Sequence, residues 1–217
     1  MDKEIDRRLE AAATQFNIMT ARIWKSTTLS PNSRLQLYNA LAINTRLYAC
    51  ETWAITSQHL HRLEVFHNRC LRRLKGVTML DHLTTGELHS RTPVTEPIQV
   101  WVRRAQLRWV GHLVRRDALY PPSLTLFAHA IRLDCPLRRH AGRPPMSFLE
   151  QHFNLISRLS RRDGALDRVI RMAQHFGVMF RDIDGSFLPD RHRIDWHHVA
   201  LNRVLWSCVV SLGAMDY

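Results

Sequence analysis

Phosphate binding is the chemistry for which the residues from Arg103 to Arg116, RRAQLRWVGHLVRR, are equipped. Wound as a helix opened by Pro97, the stretch lines up Arg104, Arg108, His112 and Arg115 on one stripe. Ile98, Val102, Ala105, Trp109 and Leu113 fall on an adjacent stripe. Arginine stays charged and forks two N–H groups onto phosphate oxygens, so the first stripe can follow a nucleic-acid backbone while the second docks on a core. An amphipathic helix with a merely solvated charged face uses the same layout. Arg62, Arg69 and Arg73 repeat the pattern on another helical face, and Arg143 stands in a Gly-Arg-Pro turn. Arg62, Arg69, Arg73, Arg104, Arg108, His112, Arg115 and Arg143 are therefore the candidate contacts to nucleic acid.

Other chemistries find less support. Two-metal phosphoryl transfer needs clustered carboxylates that bridge the attacking and leaving oxygens. The chain has no Asp-Asp pair, and its acid-rich stretches are Asp2/Glu4/Asp6/Glu10 and Asp182/Asp184. The first reads as a helix N-terminus complementing the helix dipole, the second as a loop. Thirteen histidines raise the question of zinc. His192, His197, His198 and Cys208 form the nearest cluster, with Cys135 and His140 upstream, but no closely spaced Cys pair accompanies them, and no metal or cofactor is expected. His67 and Cys70 lie one turn apart on a leucine face, the setting of a core histidine bonded to a backbone carbonyl. No nucleophile elbow or Cys–His signature marks a hydrolase. The Gly-Arg-Pro turn lacks the glycine pattern and Lys-Ser/Thr of a phosphate loop. Tryptophans 24, 53, 101, 109, 196 and 206 could stack on bases, but among leucines at helical spacing they read as core.

The elements that must position these residues are helical. Ile5, Leu9, Ala12, Phe16, Met19 and Ile23 step by four and three, a stripe that packs within the fold or supports self-association through Ile5, Leu9, Phe16, Met19 and Ile23. Ser30-Pro31 caps a second helix running to about Cys50, with Leu37, Tyr38, Leu41, Thr45 and Tyr48 facing inward. A third starts at Ser57, buries Leu60, Leu63, His67, Cys70, Leu71 and Leu74, and stops at Gly76. Thr84 and Glu87 form a capping box. Pro93 and Pro97 precede the arginine helix. Tyr120-Pro121-Pro122, Pro136, Gly142, Pro144 and Pro145 then break the chain, around one short helix at 123–132. Ser147 caps a further helix, another ends near Gly177, a turn-rich acidic loop spans 182–190, and Trp196 begins a last helix to about Val210. Nothing alternates with period two. The expected fold is all-α, a multi-helix bundle at 1–118, a Pro/Gly/Arg-rich connection at 119–146 and a smaller helical region at 147–217.

Composition narrows the partner. The chain has 217 residues and a formal net charge of +12, with a pI near 10.7. Lysine occurs only at 3, 25 and 75, so the charge is arginine, spread over many segments. That favours a polyanion over a membrane surface. Cys50, Cys70, Cys135 and Cys208 are scattered, which reads as reduced thiols. The acidic, amphipathic N-terminus is no signal peptide, and no run has the roughly 18 apolar residues of a membrane span. An intracellular, soluble protein of nucleus or cytoplasm is expected.

Several of these stretches carry a family likeness. The helix from Glu4-Ile5 to Trp24, followed by Leu47-Tyr48-Ala49-Cys50-Glu51-Thr52-Trp53, resembles the segment just after the palm in reverse transcriptases of non-LTR (LINE-type) retrotransposons. In that family a leucine–tyrosine pair, a small residue and Glu-Thr-Trp recur. The run from Leu63 to Arg72 resembles its next helix, and Leu107-Arg108-Trp109-Val110-Gly111-His112-Leu113-Val114-Arg115 its most recognisable late motif. Gly142-Arg143-Pro144-Pro145 and Ala200-Leu201-Asn202-Arg203 with Trp206 are similar to later elements, in the same order. Asn44-Thr45-Arg46 stands where a more apolar run is usual, and Asn202 where Asp is usual. The resemblance implies the thumb and post-palm region of an RNA-directed DNA polymerase, gripping a template–primer duplex by its phosphates. It implies Mg²⁺ only in a full-length parent carrying the palm acids, which are missing here. The reading is a non-catalytic C-terminal fragment of such an enzyme that binds RNA, DNA or a hybrid duplex. The alternatives are a free-standing helical protein-interaction module and an inactive pseudogene product.

Overall fold

A computed structural model describes residues 1–26, 28–92, 96–116, 165–177, 179–181, 187–188 and 196–215. The expected connection at 119–146 with its short helix, the helix opened by Ser147 and most of the 182–190 loop lie outside them. The fold is all-α. Its one strand pairing among the described residues joins β1 (Phe180–Arg181) to β2 (Phe187–Leu188) antiparallel, Phe180 opposite Leu188 and Arg181 opposite Phe187. Strands of two residues are too short to leave an alternating pattern in sequence. The chain packs as two compact units, Met1–Val102 and Arg103–Tyr217. That boundary falls inside the arginine helix.

In the first unit α1 (Asp2–Ile18) opens with Asp2 and Glu4 in its first turn, where acids complement the helix dipole. Ile5, Ala12 and Phe16 are buried among the unit's own helices. The regular stripe stops there. Thr20–Trp24 winds as a π-turn, and the Trp24 indole stacks on Phe16 at 5.3 Å and donates to the Phe16 carbonyl at 2.8 Å. Helix α2 (Pro31–Tyr38) carries the anticipated cap: the Ser30 hydroxyl accepts from Ser33 N–H, and proline takes the first turn. A second π-turn, Asn39–Ile43, leads into α3 (Asn44–Arg46).

A π-turn adds one residue and so turns the following face by about 100°. The inward positions pass from Leu41 and Thr45 to Ala42, Ile43 and Arg46, and Tyr48, expected inside, is 65% exposed. Ala49 then holds a left-handed backbone, φ 60°, before the short 3₁₀ turn Cys50–Thr52.

Helix α4 (Ser57–Lys75) is capped at both ends. Thr56 accepts from His59 N–H, while the His59 ring accepts from Thr56 N–H, a capping box in which histidine replaces the usual Glu or Gln. Gly76, at φ 67°, closes the helix, with Val77 N–H on the Arg72 carbonyl and Gly76 N–H on that of Arg73. Leu63, His67, Cys70, Leu71 and Leu74 are buried as the spacing predicts, with Leu60 at the margin. Thr84 and Glu87 form the expected capping box of α5 (Thr85–Ser90). The Glu64 carboxylate, reaching from α4, accepts Ile98 N–H at 2.8 Å and so caps α6 (Ile98–Val114).

The interior of this unit is not wholly apolar. Arg46, 0% exposed, sits over the Phe66 ring at 5.3 Å and reaches His67 Nδ1 at 3.3 Å. Tyr38 Oη is 2.8 Å from the same nitrogen. Arginine can only donate, so Nδ1 is the acceptor, Tyr38 donates to it, and the ring proton belongs on Nε2, towards the Glu96 backbone. Burial, with Arg46 and His89 beside the ring, holds the His67 pKa well below its ordinary value.

The second unit buries Leu107, Val110, Leu113 and Val114 of α6 against α7 (Ala165–His175), α8 (Trp196–Leu201) and α9 (Arg203–Met215). Val169, Ile170, Ala173, Phe180, Val199, Trp206 and Val209 complete this core. Two points differ from the sequence reading. Ala105 and Trp109 lie at the edge of the core rather than in it, the buried residues of α6 in this unit being Gln106, Leu107, Val110, Gly111, Leu113 and Val114. The last helix is broken at Asn202, whose side chain accepts Val204 and Leu205 N–H at 3.1 and 3.2 Å and caps α9.

Candidate nucleic-acid interface

The arginine face of α6 is fixed by its neighbours in the second unit. Trp206 packs on Gly111 so closely that a Cβ there would overlap indole Nε1 and Cδ1. The same Nε1–H donates to the Leu107 carbonyl at 2.8 Å. Arg115 Nη1 donates to the Ala200 carbonyl at 2.7 Å, tying α6 to the end of α8. Part of the Arg115 fork is thus committed to the fold. Glycine at 111 is what lets α9 approach α6, and the approach sets which side chains remain outward.

Arg108 is exposed, and Arg104, His112 and Arg115 are half-buried along one side. Trp109 and His112 stack at 5.5 Å, 15° from parallel. Arg116 Nε lies 3.2 Å from His112 Nε2. Since Arg116 must donate, that nitrogen accepts and His112 is neutral, with its proton on Nδ1. Partial desolvation, then Arg116, Arg115 and Arg203, lowers the His112 pKa. Desolvation and the nearby Arg203 also lower that of Arg115. Like charges have been gathered here, and α6 itself carries no acid, Glu96 and Asp117 being the nearest in sequence. Such an assembly gains most from an incoming anion.

The α4 arginines belong to the first unit and meet different surroundings. Arg62 is neutralised by Asp6 and by Asp2, the latter at 3.5 Å. Arg73 points at Asn17 Oδ1, 3.4 Å away, with its guanidinium 5.6 Å from the Phe16 ring. Arg69 is exposed and makes no hydrogen bond or ion pair among the described residues. Arg143 lies outside the described residues. The sequence reading missed Arg72, which lines a cleft beside Arg69 and Arg73, and Arg203, which stands next to Arg115. Arg72 was legible from its spacing; Arg203 was not, because only packing brings α9 to α6.

The acids do not fit a two-metal centre. Asp2 pairs with His59 at 2.9 Å, Asp6 with Arg62, and Glu4 with Arg7 and Arg8, both at 2.8 Å. Among the described residues no three His, Cys, Asp or Glu side chains converge as a metal site, and no step through Mg²⁺ can be built on them. Cys135, His140 and His192 lie outside those residues. No described helix is long and apolar enough to cross a membrane.

The chain is 26% identical over 215 residues to an uncharacterised transposon-derived protein of Caenorhabditis elegans. The match covers 95% of this chain and 63% of that protein, so the chain spans somewhat under two thirds of its relative's length. No protein-family model matches the chain. No solved structure matches it either.

Proposed function

We propose that the chain derives from a transposable element and is a non-catalytic portion of a non-LTR retrotransposon reverse transcriptase, binding nucleic-acid backbone through the arginine face of α6. The relative's transposon-derived description supports the origin. The order of motifs from Leu47-Tyr48 to Asn202-Arg203 supports the reverse-transcriptase assignment. One arrangement carries the binding: Arg116 lies 3.2 Å from His112, Arg115 is anchored on the Ala200 carbonyl and Arg203 opens α9 three residues on, so like charges collect at the end of α6 at an electrostatic cost that a phosphate would relieve. Arg108 and Arg104 extend the same face by one and two turns.

The test is a titration of the full chain and of its Arg104→Ala/Arg108→Ala variant against one RNA–DNA hybrid at several salt concentrations. Removing one phosphate-binding group shallows the slope of log K against log salt by about 0.9, so the double variant should show a slope about one to two units shallower. Sequence preference stays the same, because phosphate contacts position and do not specify. An unchanged slope with intact helicity removes this face from binding. A protein-interaction module is the second reading, favoured by the exposed Met172, Phe176 and Met179 at the end of α7. It predicts that hybrid binding is absent in the parent chain.

A further inference from the structure

We infer that the cleft between α4 and the turn after it is a separate site for a single-stranded nucleic-acid segment, its phosphates held by Arg69, Arg72 and Arg73. The inference rests on the reading of the chain as a nucleic-acid binder and adds a second kind of ligand to it. Beyond the Gly76 cap the chain doubles back, and Thr78, His82, Leu83 and Thr84 face Val65, Arg69, Arg72 and Arg73 across a space of about 590 Å³. His82 holds the far wall in a left-handed backbone, φ 45°.

The charge of this cleft is open to a ligand. Arg72 Nη2 reaches the Leu83 carbonyl at 3.4 Å, a bond that holds its guanidinium at the cleft while leaving it further donors, and Arg73, which lines the cleft beside it, spends one donor on Asn17 Oδ1 of α1 at 3.4 Å. Arg69 spends none. The dipole of α4 explains cations in its last turn, but Arg69 precedes that turn. The one acid of the turn is tied back: Asp81 Oδ2 accepts Thr78 N–H at 2.6 Å and the Thr78 hydroxyl at 2.8 Å, bonds that hold its carboxyl below the usual range. Among the described residues no carboxylate lines the cleft.

Shape then selects the ligand. A cleft of this volume is of small-molecule size and concave. A duplex is too broad to enter it, whereas a thin strand can lay its phosphates on the arginine wall and a base over Val65 and Leu83. Single-strand sites combine such a basic groove with side chains, aromatic in the familiar cases, against which bases stack; here Val65, Leu83 and His82 line that place.

The experiment is fluorescence anisotropy with the full chain, a labelled oligothymidylate of about eight nucleotides and the RNA–DNA hybrid used above. Arg69→Ala is expected to weaken oligothymidylate binding by about tenfold and to shallow its salt slope by about 0.7. Arg69→Lys, which keeps the charge, should recover part of both. Arg69 is exposed, and an unaltered helical spectrum and melting midpoint will show that the variant folds. An unchanged affinity and slope overturns the inference. So does a loss shared equally by oligothymidylate and hybrid, which assigns Arg69 to a duplex surface, and so does polyglutamate binding as tightly as the oligonucleotide. A parent chain that binds hybrid but not oligothymidylate refutes the cleft alone; one that binds neither refutes the proposed function as well.

Discussion

Gly111→Ala separates helix propensity from packing at the point where α6 meets α9. In an isolated helix the alanine would gain about 1 kcal/mol over glycine. In the second unit its methyl would land on Trp206 Nε1 and Cδ1, with Arg115 Nη1 only 3.0 Å away. Trp206 is 2% exposed and has no solvent to retreat into. Displacing it breaks the indole bond to the Leu107 carbonyl, worth about 1 kcal/mol. Overpacking the core costs about 1–3 kcal/mol more. Against the propensity gain, the net loss is roughly 1–3 kcal/mol. Urea denaturation followed by far-ultraviolet circular dichroism measures it. The same substitution in a Trp206→Leu background meets no indole and should be neutral or stabilising by up to about 1 kcal/mol. A higher urea midpoint for Gly111→Ala in the parent, or the same response in both backgrounds, would refute the close-packing argument.

Three further outcomes follow from single groups. His67 is neutral in the fold and its pKa is depressed by burial, Arg46 and His89, so below about pH 6.5 the unfolded chain takes up the proton that the folded chain refuses. Its contribution to stability is complete above that pH and falls by about 1.4 kcal/mol per unit as the pH drops towards the depressed value; urea midpoints between pH 8 and 5 should show a shallower acid loss for His67→Gln. Ala49→Gly relieves a left-handed φ of 60° and should raise stability by up to about 1 kcal/mol, while Ala49→Val lowers the melting midpoint. His112 is held neutral by partial desolvation, Arg116, Arg115 and Arg203, and a bound phosphate offsets those charges, so hybrid binding takes up a proton and tightens as the pH falls below about 6.5. An affinity that is flat from pH 7.5 to 5.5, or equally pH-dependent in His112→Gln, contradicts this.

What the sequence disclosed depended on whether the signal was local. Ser30-Pro31, Thr84 with Glu87, Gly76 and the leucine face of α4 are readable because caps and helical faces depend on residues at most a few turns apart. The inner face of α3 was misread because the π-turn at Asn39–Ile43 shifts the phase by one residue, and no composition marks such a turn. Arg46 entered the interior by that shift; an arginine at such a position reads as solvated. At the candidate interface, Arg108 and His112 follow from helical period, whereas the neutralisation of Arg62 by Asp6 depends on α1 lying against α4. Arg203 reaches the cluster only because Trp206 seats α9 on Gly111.

The positions that carry the resemblance also have structural reasons for their identity. Ala49, the small residue after Leu-Tyr, occupies a left-handed backbone where a larger side chain is strained. Gly111 makes room for Trp206, which is itself part of a later motif. Asn202 caps α9 through its side-chain oxygen, and aspartate, the residue usual in the family, would accept the same two N–H groups. The departure at 202 therefore leaves the cap intact. Motifs of this kind report how helices are joined and packed, and a chain without a nucleic-acid partner could keep every one of them. Two arginines within these motifs have no comparable duty: Arg69 makes no hydrogen bond or ion pair among the described residues, and Arg108 is exposed on a helix already fixed by its neighbours. Substitutions at Ala49, Gly111 and Trp206 consequently test the fold, and only those at Arg69, Arg104, Arg108 and His112 test the function.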